Sequence, residues 1–305
     1  MALFQIKDNG SIEIIKENDF KLEKEIQKLT EDNIYTIFDL ELVKSEFNIN
    51  NFRIDTLAFS RKDNYFAVIE YKRDKNFSVV DQGYAYLSLM LNNKADFILE
   101  YNEQRKDSLK RDDIDWSQSK VIFISPSFTT YQKEAINFKD LPIELWEVKR
   151  FSNKTVSYSK IQTAVSSESI KTISRKNEAV DKVNKEIIVY NETDHLKTAS
   201  DDIKELYELF KSGILNIDNF EVKPKKYYIA FVKGSNIVDI HIQKNSLKMW
   251  INLSKGQLDD SKKITKDVSN IGHWGNGDYE LQIKDDSDLE YILSLIRQSL
   301  KINTK

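Results

Sequence analysis

Three short runs of apolar residues, separated by polar turns, lie in the first quarter of the chain and restrict its fold more than any other feature. The runs begin at Leu40, Phe52 and Phe66, and the polar stretches 49–51 and 62–64 separate them. Runs of this length with short polar connections are typical of β-strands joined by tight turns. We therefore predict a three-stranded meander within a larger sheet.

Helical and strand patterns alternate around this meander. Amphipathic spacing predicts a helix before it, over residues 20–29, and another after it, over residues 79–91. Two further strands follow at Val121–Ser125 and Ile143–Val148, with a helix between them and a proline next to each strand. Elements in this order pack as a sheet covered by helices on both faces. The predicted fold class is α/β, a mixed sheet flanked by helices.

With 305 residues the chain is longer than one small domain, so two domains are expected. We assign residues 1–165 to the first domain and residues 190–305 to the second. The residues between them, 166–189, are interpreted as a polar, basic linker or helix. Within the second domain, three alternating strands over 227–253 lie between a helical pattern on either side, which predicts a smaller α+β fold.

The composition excludes several classes of protein. Because the chain has no Cys, it has neither disulfides nor thiolate zinc sites nor a cysteine nucleophile. The apolar runs are far shorter than the ~20 residues that cross a bilayer, and the N-terminal residues lack the pattern of a signal peptide. We expect a cytoplasmic protein with no membrane partner.

The last strand of the meander contains two charged residues in an apolar context. Glu70 and Lys72 are two residues apart and project from one face of the strand, whereas Ile69 and Tyr71 project from the other. If the strands pair antiparallel, Asp55 on the neighbouring strand lies within reach of the first face. Two carboxylates and an ammonium then meet in a buried region, where unpaired charge is costly. Such oxygen ligands suit Mg²⁺ or Mn²⁺, and the alternative is a solvated ion pair of small energetic value.

At these positions the sequence resembles the PD-(D/E)XK nuclease superfamily, specifically its RecB-like and NucS-like branch. Asp55 and Glu70-Tyr71-Lys72 match the signature, with Ile54 in the place of the proline. The resemblance covers about residues 20 to 150 and implies a restriction-endonuclease-like sheet. It also implies that Asp55 and Glu70 bind Mg²⁺ or Mn²⁺ and that Lys72 is the catalytic lysine.

Two nearby elements extend the resemblance. The run Gln82-Gly83-Tyr84-Ala85-Tyr86 is similar to the Gln-x-x-x-Tyr element of that branch, which implies that Gln82 and Tyr86 help to position the site or the phosphate. Glu23, on the first predicted helix, resembles the acidic residue that often completes the metal site there. The simpler interpretations are that Gln82 is an exposed amide, that the ring of Tyr86 only packs against its neighbours, and that Glu23 is an ordinary surface carboxylate.

The net charge of the first domain does not by itself favour binding of nucleic acid. Residues 1–150 contain more acidic than basic residues, whereas proteins that contact many phosphates usually have a basic face. A bound divalent cation would reverse the local sign. Arg53, Arg73, Lys75 and the basic linker would then line the approach.

The second domain contains a glycine-rich segment at residues 270–278. We interpret the segment first as a tight connection whose glycines need positive φ angles. The functional interpretation is that Trp274 or His273 contacts a base or another ligand. This segment and the helix after it resemble an accessory domain of undefined function in bacterial nucleases, including defence proteins; chains of this layout have also been labelled predicted transport proteins.

We therefore predict a Mg²⁺-dependent nuclease, a DNA endonuclease of repair or defence, whose second domain recognises the substrate or mediates assembly. One site per chain cuts one strand, so double-strand cleavage calls for a homodimer or two events. Two alternatives stay open. One is a non-catalytic module that uses the nuclease fold to bind nucleic acid or protein, and the other is a small-molecule binding domain fused to a decayed nuclease.

Overall fold

The computed structural model describes residues 3–73, 77–138, 140–162 and 178–304. The chain divides into two compact units, Met1–Val189 and Tyr190–Lys305. The strands and helices of the first unit are, in chain order, β1 (Leu3–Ile6), β2 (Ile12–Ile15), β3 (Glu17–Asn18), α1 (Glu23–Glu31), α2 (Ile34–Phe38), β4 (Glu41–Ile49), β5 (Phe52–Ser60), β6 (Tyr65–Tyr71), α3 (Val79–Asn92), α4 (Lys94–Arg105), β7 (Lys120–Ser125), α5 (Thr130–Ala135), β8 (Ile143–Phe151), β9 (Val156–Lys160) and α6 (Glu178–Glu186). Those of the second unit are α7 (Glu192–Leu196), α8 (Asp201–Leu215), β10 (Glu221–Pro224), β11 (Ile229–Lys233), β12 (Ser235–Gln243), β13 (Ser246–Ile251), β14 (Lys266–Asp267), β15 (Tyr279–Ile283) and α9 (Leu289–Asn303).

The large sheet of the first unit is mixed, as expected for its fold class. Its strand order is β3-β8-β7-β6-β5-β4, and β9 also pairs with β8. Strands β4, β5 and β6 form the predicted antiparallel meander, whereas β6, β7 and β8 run parallel. Strand β6 lies inside the sheet and is buried along its whole length, which explains its nearly continuous apolar sequence.

Helices cover both faces of this sheet, as the alternating pattern predicted. One apolar core lies between the sheet and helices α3, α4 and α6. A second core lies on the opposite face, where α1 and α2 pack. Helix α3 approaches the sheet closely at Gly83, because a Cβ there would lie only 2.4 Å from the Cδ1 atom of Ile143. This close approach brings the first turns of α3 next to the end of β6.

Several elements of the first unit differ from the sequence prediction. The first helix begins at Glu23 and not at Phe20, whose buried ring instead packs under the guanidinium of Arg150, 4.6 Å from the ring centroid. The hairpin of β1 and β2, the short strand β3, helices α2 and α4, and strand β9 were not predicted. They were missed because they are short or have no strong apolar period.

The stretch 166–189, interpreted from the sequence as a polar, basic linker or helix, contains a helix. Its last part forms α6, which packs on α3 through a hydrogen bond from the Tyr84 hydroxyl to Asn184 Oδ1 at 2.9 Å. Val183 and Ile187 are buried in the core of the first unit. The rest of the predicted linker, residues 166–177, lies outside the described residues.

The second unit has an antiparallel sheet with the order β10-β11-β12-β13-β15-β14, so its α+β class is as predicted. Helices α8 and α9 pack on one face and form its main core. The other face has a small cluster around Tyr228, Trp250 and Val268. Across the described ranges, no helix is both long and apolar enough to span a membrane.

The expectation of positive φ angles in the glycine-rich segment was wrong. Among the described glycines only Gly10, Gly234 and Gly256 have positive φ. The reason for glycine at two positions of the segment is close packing. A Cβ on Gly275 would lie 2.4 Å from Trp250 Cδ2, and one on Gly277 would lie 1.9 Å from the Ile251 carbonyl oxygen.

Candidate active site

The register of β5 and β6 brings two carboxylates to the same end of the meander. Thr56 lies opposite Ile69, so Asp55 and Glu70 come next on the two strands. The backbone N–H of Tyr71 donates a hydrogen bond to Asp55 Oδ2 at 3.1 Å and fixes that carboxylate against the end of β6. Local pairing therefore places side by side two acids that are well separated in the sequence.

Glu70 is the centre of the site. Only 4% of its surface is exposed, and its Oε1 atom accepts hydrogen bonds from Lys72 Nζ at 2.8 Å and from Gln82 Nε2 at 2.9 Å. Its Oε2 atom accepts a hydrogen bond from the Tyr86 hydroxyl at 2.9 Å. Three of the predicted site residues thus converge on a fourth.

Helix α3 supplies Gln82 and Tyr86 because they are four residues apart and therefore share one helix face. Gln82 Nε2 also donates to the Tyr86 hydroxyl at 3.2 Å, which links the two side chains. The helix begins at a Ser78 cap, whose Oγ accepts a hydrogen bond from the Asp81 N–H at 3.3 Å. The Ser78 cap fixes the start of α3, and Gly83 lets the helix lie close to the sheet. Together they place the side chains of Gln82 and Tyr86 next to Glu70.

The charges at this site are unbalanced. Burial and the nearby Glu70 carboxylate raise the pKa of Asp55 to about 6. Burial alone would lower the pKa of Lys72, but its hydrogen bond to Glu70 and the negative charges around it raise the pKa above the ordinary value. Lys72 is therefore a firmly protonated ammonium. Two carboxylates share this one cation, and the site has surplus negative charge whenever both are ionised.

This donor set fits a small divalent cation that keeps much of its water. Mg²⁺ typically binds one or two protein carboxylates and fills its other positions with water and phosphate oxygens. Asp55 and Glu70 offer two such carboxylates, and the raised pKa of Asp55 shows that added positive charge would relieve their repulsion. Within residues 3–73, 77–138, 140–162 and 178–304, no group of three His, Cys, Asp or Glu side chains is suited to hold a metal. Water or substrate would have to complete the coordination.

Glu23 lies near this site but does not complete a set of three carboxylates. It is the first residue of α1, and its Oε1 atom accepts a hydrogen bond from the Arg73 N–H at 2.7 Å. Its charge is among those that raise the pKa of Lys72. The structure therefore places Glu23 beside the chain that leaves β6, on the Lys72 side of the site.

Gln27, a buried residue of α1 that was not predicted from the sequence, holds the backbone of the site. Its Nε2 atom donates hydrogen bonds to the Asp55 carbonyl at 3.0 Å and to Glu31 Oε1 at 3.0 Å. Glu31 Oε1 in turn accepts a hydrogen bond from Thr56 Oγ1 at 2.5 Å. The signal available in the sequence was a polar residue next to Ile26 on the apolar side of the helix.

The basic residues proposed to line the approach are only partly free for a ligand. Arg53 Nε forms an ion pair with Glu46 Oε2 at 2.9 Å, and an Arg73 guanidinium N–H donates to the Lys21 carbonyl. Lys75 lies outside the described residues.

The histidines take no part in this site. Each of the three bonds a backbone carbonyl oxygen within the second unit: His195 that of Lys225, His241 that of Tyr227 and His273 that of Ile271.

A protein from Haemophilus influenzae is 54% identical to this chain over 302 residues, which cover 99% of this chain and 100% of the relative. The chain belongs to the family of this Haemophilus protein. The relative is described as an uncharacterized protein. Within the second unit, residues 192–303 match DUF5655, a domain of unknown function, so the accessory domain expected from the sequence is present.

Three solved structures have weaker similarity to this chain. A complex of EndoMS with double-stranded DNA has a TM-score of 0.27 and 16% identity, over 45% of this chain and 51% of that one. A repair endonuclease from Pyrococcus abyssi has a TM-score of 0.22 and 16% identity, over 44% and 59%. SfsA from Pyrococcus furiosus, solved with Ca²⁺, has a TM-score of 0.26 and 12% identity, over 51% and 79%. The chain thus spans about half of the EndoMS chain and somewhat more of the Pyrococcus abyssi enzyme.

Proposed function

We propose that the N-terminal unit is a metal-dependent nuclease that hydrolyses phosphodiester bonds of DNA. The observation that carries the proposal is the position of Asp55 and Glu70 side by side where the pairing of β5 with β6 ends, with the Lys72 ammonium 2.8 Å from Glu70. Two carboxylates and a cation in a largely buried position form a costly arrangement for stability. They form a suitable arrangement for holding Mg²⁺ next to a phosphate.

Each residue has a defined part in this proposal. Asp55 and Glu70 hold the cation, which, when bound, polarises the phosphodiester and lowers the pKa of a coordinated water. Lys72 is protonated, so it donates hydrogen bonds to the attacking water or to the phosphate oxygen on which negative charge develops. It does not act as a general base in this state. Gln82 and Tyr86 hold Glu70 in one orientation.

Gln27 and Glu23 act at the edges of this arrangement. Gln27 keeps the Asp55 backbone fixed through its bond to the carbonyl oxygen, so it is a positioning residue. Glu23 adds negative charge on the Lys72 side and holds the Arg73 backbone, which orders the chain just after β6. Neither residue needs to touch the substrate for the proposed chemistry.

The test is cleavage of labelled DNA by the purified full chain. Supercoiled plasmid, linear duplex and single-stranded DNA are incubated with Mg²⁺, with Mn²⁺ and with EDTA. The variants are Asp55→Asn, Glu70→Gln and Lys72→Ala, and the matched control is Asp96→Asn, which changes an exposed aspartate in the first turn of α4. Cleavage by the wild type and the control, lost in EDTA and in the three variants, is the expected result. Cleavage that persists in Asp55→Asn and Lys72→Ala would reject the assignment.

One observation favours a second candidate, a non-catalytic binding module. Both oxygens of Glu70 already accept hydrogen bonds, as in a structural network that needs no metal. In that case the wild type would bind DNA in Mg²⁺ without cutting it, and Asp55→Asn would leave the binding unchanged.

A further inference from the structure

We infer that the exposed pair of rings, Trp274 and Tyr227, is the stacking platform of a binding surface for single-stranded nucleic acid on the C-terminal unit. This inference concerns the DUF5655 unit and does not depend on cleavage by the N-terminal unit. It combines four observations: two exposed stacked rings, a rigid loop beneath them, basic residues beside them, and helices confined to the other face of the same sheet.

The two rings form a stacked pair that stays accessible. The ring centroids of Tyr227 and Trp274 are 5.0 Å apart with an angle of 14° between the ring planes. Trp274 is 52% exposed and Tyr227 is 42% exposed. His241 contacts the Trp274 ring edge to face at a centroid distance of 4.7 Å. A large aromatic surface held in this way offers a flat face on which another ring can stack.

The loop that presents Trp274 is fixed to the sheet by a buried carboxylate. Asp239 is fully buried, and its Oδ2 atom accepts hydrogen bonds from the Asn276 N–H at 2.8 Å and from Asn276 Nδ2 at 2.7 Å. Asn252 Nδ2 donates to the same atom at 3.2 Å. Burying a carboxylate is costly unless it is well hydrogen-bonded, so this network strongly specifies one conformation of the loop.

The glycines on either side of Asn276 permit this conformation. Gly275 lies directly on the buried ring of Trp250, and Gly277 lies against the backbone of Ile251, with no room for a Cβ at either position. Trp274 is therefore preorganised and does not lose much conformational entropy when a ligand stacks on it. An exposed tryptophan held rigidly is unusual for a surface with no binding role.

Lysines lie on the strands next to the platform, and two of them are paired with glutamates: Lys223 Nζ with Glu221 Oε2 at 3.0 Å, and Lys248 Nζ with Glu280 Oε1 at 3.2 Å. Lys226 Nζ lies 5.3 Å from the centroid of the Tyr227 ring, and Lys223 and Lys225 precede it in the chain. Lys248 lies opposite His241 in the register of β12 and β13. Positive charge beside stacked rings favours a ligand that has both flat bases and phosphates, and it disfavours a quaternary ammonium ligand.

The position of the platform in the fold matches a general mode of recognition. Helices α8 and α9 cover one face of the antiparallel sheet, and His241, Lys248 and Trp250 project from the other. A sheet with helices on one face and aromatic side chains on the other is a common surface for unpaired bases of RNA or DNA. Duplex is disfavoured because its bases are stacked on each other and unavailable to Trp274.

The inference is tested by fluorescence anisotropy with the full chain in EDTA, where metal-dependent cleavage is absent. The probes are labelled oligothymidylate and oligouridylate of about 15 nucleotides, which suits one binding domain. A third probe is an abasic strand of equal length that keeps the phosphates. The variants are Trp274→Ala and Trp274→Phe, with Tyr131→Ala as the matched control, because Tyr131 is an exposed aromatic residue of α5 in the first unit.

We expect Trp274→Ala to weaken binding of the thymidine or uridine strand about ten-fold, in keeping with the loss of one stacked base. Trp274→Phe should retain most of the affinity, and Tyr131→Ala should match the wild type. The abasic strand should not distinguish the wild type from Trp274→Ala. Equal affinity of Trp274→Ala and wild type for the base-containing strands would overturn the inference, as would the absence of binding to both strands.

Discussion

Two charged clusters in the same sheet shift the pKa of a carboxylate in opposite directions. At β8, the Glu144 carboxylate bonds Lys120 Nζ and Lys160 Nζ, each at 3.1 Å, and also Trp146 Nε1 at 2.9 Å. Burial would raise the pKa of Glu144, but the two ammonium groups outweigh it and hold the pKa well below its usual range. At the candidate active site, two carboxylates share one ammonium, and the pKa of Asp55 is raised to about 6.

The two clusters differ in the sign of their surplus charge. At β8, two ammonium groups share one carboxylate, so the protein itself compensates that carboxylate and the surplus is positive. At the candidate active site, two carboxylates share one ammonium, so the surplus is negative and an external cation would neutralise it. Under the proposed function, this negative surplus is what attracts the metal ion, whereas the Glu144 cluster is structural.

The largest difference is expected in catalysis. Asp55→Asn and Glu70→Gln should each lower the rate of Mg²⁺-dependent DNA cleavage by at least about 100-fold, because each removes a carboxylate to which the proposed function assigns the cation. Glu144→Gln should keep the wild-type rate per folded molecule. Initial rates at saturating Mg²⁺ measure both, and a similar loss in all three variants would remove the distinction between the clusters.

The next effect is a loss of stability at the Glu144 cluster. Glu144→Gln leaves the ammonium groups of Lys120 and Lys160 without their shared carboxylate, and we expect the free energy of unfolding to fall by about 3 kcal/mol. Urea unfolding of the variant and the wild type at pH 7 measures the change. An unchanged transition would show that this cluster is not a stabilising one.

At the candidate site we expect a substitution to raise the free energy of unfolding and not to lower it. In EDTA at pH 7, Asp55→Asn removes a charge that the folded state disfavours, so the free energy of unfolding should rise by about 1 to 2 kcal/mol. This value is smaller than the full pKa shift implies, because Asp55 retains some contact with water. The same urea measurement tests it, and a less stable Asp55→Asn would mean that the Asp55 charge is already compensated.

The Asp55 carboxylate should also make the free energy of unfolding depend on pH. Because the pKa of Asp55 is about 6 in the folded state and lower in the unfolded chain, the folded state binds more protons between about pH 4 and pH 6. Its contribution to stability is therefore present at low pH and is lost as the pH rises through 6. The difference in unfolding free energy between Asp55→Asn and the wild type should grow over this interval and then stay constant. A difference that does not vary with pH would contradict the shifted pKa.

The smallest effect is stabilisation by the metal alone. Without DNA, Mg²⁺ at about three times its dissociation constant should raise the stability of the wild type by about 0.8 kcal/mol and raise its melting temperature. Asp55→Asn should show no such increase, whereas Glu144→Gln should respond like the wild type. Calorimetric scans with Mg²⁺ and with EDTA give the comparison, and equal responses of Asp55→Asn and the wild type would place the metal elsewhere.

Local sequence rules were sufficient to predict which site residues share a face, whereas only the family resemblance implied that Gln82 and Tyr86 belong to the same site as Glu70. Side-chain alternation put Glu70 and Lys72 on one face, the antiparallel meander put Asp55 beside them, and four-residue spacing put Gln82 and Tyr86 on one side of α3. Each of these rules acts over a short stretch of chain. Their catalytic and metal-binding roles stay predictions.

Contacts between distant segments were not predictable in the same way. Gln27 reaches the Asp55 carbonyl only because α1 packs across the sheet, and no local pattern fixes that placement. The cluster of Lys120, Glu144 and Lys160 joins three strands whose order the sequence does not state. The glycines of the 270–278 segment were assigned to backbone conformation, whereas the reason for them is the packing of the loop on Trp250 and Ile251.

The most direct measurement of the central claim is a crystal structure of the chain soaked in Mn²⁺, with anomalous scattering recorded from the metal. We predict an anomalous peak from a Mn²⁺ ion that is bound by the carboxylates of Asp55 and Glu70 and by water. Lys72 should then either move away from Glu70 Oε1 or share that atom with the metal. A map with no peak there, and with Glu70 still bonded only to Lys72, Gln82 and Tyr86, would contradict it.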